Sequence, residues 1–344
     1  MVRVNLSSAT VAKLDRRKVL SYRYQANGLQ ERLPKSDLAA AAHSGLQDSA
    51  PRSAVISLHA RVDGIEHDTW TSRELVQVWG PRGAVYVVAK SDLATFTLGL
   101  MPRDPDRVAE LEKKAQQVLR ALDGRPQRHS AVLKRTPTVG DIRELLWVST
   151  TGLFLPFWDA STTALYPAEP PEGDAEEARL DLARRFLHYL GPTTTKALQW
   201  WTDSSAEDAS QTMAALGPEL ATVQVAGEEV LMLAEDVDKA TIATPPEGLH
   251  LLPPDDVYIS RLCGPLLVPD GAMYNRLYPK APNPGALVVD GEVAATWRRN
   301  GRRLTVIPFP GVKTGELADR VLEAARALPL ESDPETTVVD WYAD

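Results

Sequence analysis

The spacing of apolar residues predicts helices through most of the chain and strands near its C-terminal end. Apolar side chains recur every three or four residues over 108–122, directly after the helix-starting pair Asp104-Pro105. A further helix is predicted to start at Asp174 and to end at Gly191-Pro192, and a shorter one to begin near Thr138. The middle of the chain is therefore expected to be mainly helical.

The first hundred residues are predicted to form three helices followed by a strand. The helices are expected over 11–29, opened by Ser7 or Ser8, over 36–43 and from Ser53 onward, and the strand over 83–90. An order of three helices and then a strand is typical of a winged-helix unit.

Near the C-terminal end the apolar period changes from helical to two. Strands are predicted over 286–289, 292–299 and 302–309, joined by Asp290-Gly291 and Asn300-Gly301, which are dipeptides typical of tight hairpin turns. A helix over 315–327 is expected to follow. The pattern as a whole predicts an α+β protein that ends in an antiparallel meander, and the stretch 166–174 is the best candidate for a linker.

Length and composition favour two or three packed units in a soluble, cytoplasmic protein. The chain has 344 residues, 44% of them hydrophobic, and no apolar run is long enough to span a bilayer or to act as a secretory signal. Cys263 is the only cysteine, which excludes an internal disulfide and a thiolate zinc cluster, and it is best interpreted as a small buried side chain.

Charge is distributed unevenly along the sequence. The net charge is −8, yet residues 1–61 hold ten Lys or Arg against four Asp or Glu, which leaves −14 for the other 283 residues. Nine acidic and no basic residues lie between Asp203 and Asp238, a pattern that indicates a solvated acidic face. A basic face opposite an acidic one can still steer DNA toward the protein.

Several enzyme classes are excluded because their motifs are missing. The sequence has no HExxH, P-loop, GxSxG or GxGxxG motif and no metal-binding cysteine spacing. The six histidines are isolated, and His59, on an apolar stretch, is best interpreted as structural. Neither a metal nor another cofactor is predicted.

Five segments together resemble a known family. They are VWGPRGAVYVV (78–88), EEARLDLARRFLHYLGPTTTKALQWW (176–201), LLPPDDVYISR (251–261), LLVPDGAMYNRLY (266–278) and GALVVDGEVAATWRR (285–299). In this order and at these spacings they resemble the AlkZ/YcaQ family of crosslink-repair DNA glycosylases, and the likeness extends over almost the whole chain.

The resemblance implies three tandem winged-helix units and a C-terminal β-rich unit, curved into a C-shape around duplex DNA. The units are expected over 1–100, 101–170, 171–250 and 251–344. The expected partner is double-stranded DNA carrying a modified guanine. Neither a membrane nor a second subunit is expected.

Catalysis in that family rests on a Gln, one intervening residue and a Gln or Asp, followed shortly by Pro-Arg. The segment GLQDSAPRSA matches this pattern, with Gln47 in the first position and Ser49 in the second, where Ser departs from the family. We expect Gln47 to hold the attacking water, Asp48 to supply negative charge or act as general base, and Ser49 to complete the hydrogen-bond set. The alternative is that Asp48 and Ser49 only cap the following helix.

Basic side chains, most of them on two loops, and one tryptophan are the predicted DNA contacts. Their alternative role is solubility, and Arg82 of the family's Arg-Gly pair is better interpreted as ordering the active-site loop. The predicted set comprises Arg52, Arg82, Lys134, Arg135, Trp297, Arg298, Arg299, Arg302 and Arg303.

The sequence thus predicts a monofunctional, metal-independent DNA glycosylase that removes bulky N7-alkylguanine, for base excision repair or for self-resistance to a DNA-alkylating natural product. One alternative is a non-catalytic winged-helix regulator or lesion sensor. Another is a protein that sequesters small molecules in the same cleft.

Overall fold

The N-terminal segment forms a short strand and then a helix. The computed structural model describes residues 11–342 except Ala281 and Ser332, so the predicted capping residues Ser7 and Ser8 lie outside the described residues. Strand β1 (Ala12–Leu14) precedes helix α1 (Arg16–Ala26), and the prediction of one helix over 11–29 is therefore wrong at its start. Asp15 begins the helix instead, because its carboxylate accepts a hydrogen bond from the Lys18 amide at 2.9 Å.

A first group of helices and strands follows, with short helices and a three-stranded antiparallel sheet of order β2-β4-β3. Its members are α2 (Leu38–Ala41), β2 (Leu46–Gln47), α3 (Ser53–His59), β3 (Leu75–Trp79), β4 (Val85–Ala89) and α4 (Leu93–Phe96). The helix predicted over 36–43 is only partly formed, since Lys35–Asp37 is a 3-10 turn and α2 has four residues.

A second group repeats this order around a long amphipathic helix, with a sheet of order β5-β7-β6. Its members are α5 (Pro105–Leu122), β5 (Gln127–Arg128), α6 (His129–Arg135), α7 (Ile142–Ser149), β6 (Phe154–Trp158) and β7 (Thr163–Pro167). The prediction for α5 is confirmed: Asp104 caps it, and Leu111 and Val118 on its inner face are fully buried. Helix α7 begins after Asp141 rather than near Thr138, because the Asp141 carboxylate accepts the Glu144 amide.

A third group has the same order once more. Its members are α8 (Ala175–Leu190), α9 (Thr195–Thr202), α10 (Ala206–Ala215), β8 (Leu220–Val225), β9 (Glu228–Leu233) and α11 (Ala234–Ile242). Thr193 forms an isolated antiparallel bridge with Leu231 of β9, in the place that a short first strand takes in the other groups. Strand β1 pairs in parallel with β8 and completes the sheet on its other side. The sequence did not predict β8 and β9.

The C-terminal part is built around a five-stranded sheet of order β10-β11-β12-β13-β14, in which only β13 and β14 are parallel. Its members are β10 (Leu249–Leu252), α12 (Gly264–Leu267), α13 (Gly271–Leu277), β11 (Gly285–Val289), β12 (Glu292–Asn300), β13 (Arg303–Pro308), α14 (Thr314–Arg326) and β14 (Val338–Trp341). The predicted meander is confirmed.

The two meander turns differ in how well they were predicted. Asp290 and Gly291 have φ of 48° and 78°, as a type I′ turn requires. In the second turn Asn300 pairs with Arg303, so the two-residue loop is Gly301-Arg302 and the predicted turn is shifted by one residue.

Two features hold the C-terminal part against the first group. One is a shared apolar core that includes Val78 and Phe96 of the first group and Tyr258 of the C-terminal part. The other is a buried ion pair, in which the Arg61 guanidinium donates to both carboxylate oxygens of Asp256 at 2.8 and 2.9 Å. The Arg61–Asp256 pair fixes the loop after β10 to the first group, beside the cavity described below.

Within the described residues, no helix has the length and apolarity needed to cross a bilayer.

Candidate active site

A cavity of about 310 Å³ lies where the first group, the third group and the loop after β10 meet. This is within the size range of small-molecule pockets. Three aromatic rings, three uncharged or acidic polar side chains and two guanidinium groups determine its chemistry, and they come from five separate stretches of sequence. These eight residues are Gln47, Arg82, Tyr86, Trp200, Trp201, Asp255, Arg261 and Asn283.

Gln47 enters the cavity from β2 with its amide group held at both ends. Its Nε2 donates to Ser49 Oγ at 2.9 Å, and its Oε1 accepts from the Tyr86 hydroxyl at 3.4 Å. Burial raises the pKa of Tyr86, which keeps its hydroxyl protonated as a donor. Because a carbonyl oxygen has two lone pairs, Oε1 can accept one further hydrogen bond, as from a water molecule.

The glycine two residues before Gln47 is required by the packing behind the site. Gly45 has φ of +69°, and a Cβ there would lie 2.5 Å from the Phe96 ring, which stacks on Tyr86. Any side chain at position 45 would thus displace the ring that positions Tyr86.

Asp48 points away from Gln47, because successive side chains of an extended strand project to opposite faces. Its carboxylate is fully buried and accepts from the Ala54 amide at 3.1 Å and from Arg52 Nη1 at 3.0 Å. Burial raises the pKa of Asp48 to about 6, against the opposing effects of Ala54 and Arg52. Ala54 is in the first turn of α3, so the geometry matches the capping alternative for Asp48, whereas Ser49 accepts from Gln47 and the N-cap position itself is Arg52. Asp48 does not line the cavity, and we do not retain it as a general base.

Arg52 is held inside the protein by several contacts. Besides Asp48, its guanidinium reaches the Trp158 carbonyl at 3.4 Å and lies over the Trp70 ring at 3.8 Å. The predicted phosphate contact would compete with all of these interactions, so Arg52 is better described as a structural partner of Asp48.

Arg82 and Trp200 form a stacked pair at the cavity. The guanidinium lies 3.9 Å from the centre of the Trp200 ring and donates to the Trp200 carbonyl at 3.2 Å. Trp200 is 43% exposed, so part of its ring is open to a ligand. This agrees with Arg82 ordering the site. Trp200 is not among the site residues predicted from the sequence, although the pair Trp200-Trp201 at the end of a predicted helix is an available signal.

Asp255 is a second residue of the cavity lining that was not predicted from the sequence. Its carboxylate accepts from Asn283 Nδ2 at 2.8 Å, and its backbone has φ of 62°, a region that few residues other than glycine adopt. Its signal in the sequence was an Asp-Asp pair after two prolines.

The remaining predicted DNA contacts lie outside this cavity. Trp297 is buried, and its indole N–H donates to the Leu252 carbonyl at 2.9 Å, so it belongs to the core rather than to an exposed surface. Of the four arginines at the β12–β13 turn, Arg298 donates to the Pro282 carbonyl and Arg303 pairs with Asp340. All four reach the surface of one hairpin, where the others are Arg299 and Arg302. Lys134 and Arg135 are exposed on α6, where Arg135 donates to the Ala121 carbonyl.

Known proteins share both the sequence features and the fold of this chain. A family profile described as DNA glycosylase AlkZ-like matches residues 40–329. The solved structure of the Streptomyces sahachiroi DNA glycosylase AlkZ matches with a TM-score of 0.76 at 17% identity, covering 96% of this chain and 100% of that one. At this identity the structural likeness shows a shared α+β fold alone. No curated protein sequence gives a match.

Proposed function

Because the chain belongs to the AlkZ-like family of DNA glycosylases, we propose that it hydrolyses the N-glycosidic bond of N7-alkylguanine in duplex DNA. The observation that carries the proposal is Gln47, an amide fixed at both ends beside a cavity lined by aromatic rings. The reaction uses water as nucleophile and needs no metal.

The three repeated groups support a tandem winged-helix architecture. Each has a first helix, a short strand or bridge, further helices and a hairpin whose second strand pairs with that short strand. We assign them to units over 1–100, 101–170 and 171–250, with the β-rich unit over 251–344. In this arrangement the units and the β-rich part curve around a duplex as one monomer.

The composition of the cavity supports a cationic purine as substrate. Guanine alkylated at N7 is flat and positively charged, and aromatic faces attract cations. Trp200 offers a partly exposed ring beside Arg82, and Asp255 supplies the one negative charge among the described lining residues, where Arg82 and Arg261 are positive. A neutral guanine would gain less from the ring and from Asp255, so these two groups favour the damaged base.

The mechanism requires little activation of the leaving group. As the C1′–N9 bond breaks, its electron pair neutralises the guanine, which leaves as a neutral base, and the sugar becomes oxocarbenium-like. Gln47 Oε1 accepts a hydrogen bond from the attacking water and aims its oxygen at C1′. Ser49 acts as a positioning residue here, because it accepts from Nε2 and so fixes which end of the amide faces the water.

We assign bulky adducts as the preferred substrates, because Trp200 at the cavity is partly exposed and leaves room for a large substituent to extend into solvent. Removing such adducts would serve base excision repair or resistance of the host to its own DNA-alkylating product.

The test is excision from a duplex that carries one N7-methylguanine or one bulky N7-alkylguanine, detected as alkali-labile abasic sites. We expect Gln47→Ala to lower the single-turnover rate about 100-fold, the scale of losing one preorganised hydrogen-bonding group, with DNA affinity little changed. Gln211→Ala, on the exposed face of α10, is the matched control and should retain the rate. No excision of any adduct by the wild type would refute the enzyme.

A non-catalytic DNA-binding protein is the second candidate, favoured by Ser49 in a position where the family has Gln or Asp. This second candidate predicts that the wild type binds the same duplexes without releasing the base. It also predicts that Gln47→Ala changes neither DNA binding nor base release.

A further inference from the structure

We propose that Asp255 is a catalytic carboxylate of this site, which faces the deoxyribose opposite Gln47 and stabilises the positive charge that develops on it. The inference rests on the proposed glycosylase function and names a group that neither the motif around Gln47 nor the family resemblance assigns.

The position of Asp255 is what distinguishes it from the other carboxylates. Among the described residues that line the cavity, it is the one acidic side chain. Its charge is close enough to Tyr86 to help raise the pKa of that phenol, and Tyr86 is the residue that donates to Gln47. Asp255, Tyr86 and Gln47 therefore lie around the same space.

The loop that carries Asp255 is unusually well fixed. The next residue, Asp256, is bound by the Arg61 guanidinium, by the Ser57 hydroxyl at 2.6 Å and by the Tyr258 amide at 2.9 Å. Asn283 then holds the Asp255 carboxylate itself at 2.8 Å. A charge held in place before the substrate arrives needs no reorganisation during the reaction, which is the condition for effective electrostatic stabilisation.

The backbone of Asp255 is also in a strained region. Left-handed conformations in residues other than glycine persist where the surrounding structure enforces them, and they concentrate at functional sites. Here the enforcement comes from Asp256, whose four hydrogen bonds set the direction of the preceding residue.

The inference also accounts for the two departures in the motif around Gln47. Ser49 is neutral, and the carboxylate of Asp48 is buried on the other face of β2. In this chain the motif therefore places no negative charge near the sugar. The loop after β10 supplies one, from more than 200 residues later in the sequence.

The reaction balances with Asp255 in this role. The C1′–N9 electron pair goes to the guanine, which leaves as a neutral base. The water oxygen bonds to C1′, and the proton that it releases passes to solvent on the Gln47 side. The Asp255 carboxylate thus faces a cation in the transition state and a neutral sugar afterward.

The experiment measures recognition of a cationic sugar. Wild-type protein, Asp255→Asn and Asp238→Asn are titrated with two duplexes, one with a pyrrolidine abasic analogue, whose ring nitrogen is protonated, and one with the neutral tetrahydrofuran analogue. Asparagine keeps the shape, the bond from Asn283 and the tolerance for left-handed backbone. Asp238 is an exposed carboxylate on α11, away from the cavity lining, and serves as the matched control.

We expect the wild type and Asp238→Asn to bind the pyrrolidine duplex about tenfold or more tightly than the tetrahydrofuran duplex, and Asp255→Asn to lose this preference while binding the neutral duplex normally. A preference retained by Asp255→Asn, or absent from the wild type, overturns the inference. In the excision assay, Asp255→Asn should be slower by about 30-fold. Full activity of that variant would overturn the role of Asp255 and leave the glycosylase standing, whereas an inactive wild type would overturn the glycosylase itself.

Discussion

Asp48 offers the sharpest test of the difference between a structural and a catalytic carboxylate. Its side chain is fully buried, and burial raises its pKa from 3.8 to about 6. A carboxyl whose folded-state pKa is raised stabilises the fold below the unfolded value and loses that contribution as the pH rises through the folded value. At about 1.4 kcal/mol per pH unit between the two values, full ionisation costs the folded state about 3 kcal/mol.

The substitution Asp48→Asn removes this titration and keeps an oxygen that can accept from the Ala54 amide. Arg52 does not become a stranded charge, because it retains Trp70 and a partly exposed side chain. We therefore compare the unfolding free energy of Asp48→Asn with that of the wild type at each pH. We expect the variant minus wild-type difference to be about 1 kcal/mol larger at pH 7 than at pH 5. Urea unfolding followed by tryptophan fluorescence at the two pH values measures this difference, in which all other titrating groups cancel.

The same variant should excise N7-methylguanine within about threefold of the wild-type rate, since Asp48 does not line the cavity. A relative stability that is the same at both pH values would refute the argument from burial. A loss of excision of about 100-fold in a variant that is folded and equally stable would show that Asp48 takes part in the chemistry after all.

Two further predictions concern how the DNA is held. Replacing Trp200 by Ala removes the partly exposed ring at the cavity. We therefore expect the excision rate to fall more for a bulky aromatic N7 adduct than for N7-methylguanine. An equal fall for both would count against stacking of the adduct on Trp200. The double variant Arg299→Ala/Arg302→Ala should make the plot of log DNA affinity against log salt concentration less steep by about 2, because each phosphate contact contributes about 0.9 to the steepness. An unchanged slope would indicate that these arginines serve solubility alone.

The sequence predicted best where a local signal determined the local structure. Helix α5 begins where Asp104 and Pro105 predict, and its buried face follows the helical period. The Asp290-Gly291 turn also needed no distant information. Strands β8 and β9 had a usable signal as well, because Leu220–Val225 alternates and Gly227 indicates a turn before the next apolar run. Local sequence was therefore sufficient to predict these two strands.

Other features depended on distant partners. The residues of β1 carry a weak helical pattern, and only pairing with β8 makes them a strand. The cavity could not be predicted as a whole, because Gln47 and Asp255 line it only when the loop after β10 is held against the first group, by the shared core and by the Arg61–Asp256 pair. The position of Asp48 was predictable in part: in an extended segment, Gln47 and Ser49 share one face and Asp48 takes the other.

The parallel pairing of β1 with β8 has a consequence for how the protein is made. On the ribosome, Ala12 emerges roughly 210 residues before its partner Val223, which at about 5–20 residues per second is a delay of about 10–40 s. Throughout that time the first strand has no neighbour, and the apolar side chain of Leu14, which is buried in the finished protein, faces water. The third group, in turn, cannot complete the sheet β1-β8-β9 from its own residues, because β1 lies at the N-terminal end of the described chain. A fragment that begins after α1 would leave one edge of β8 open to pairing with other chains, so this unit should be expressed together with the first strand.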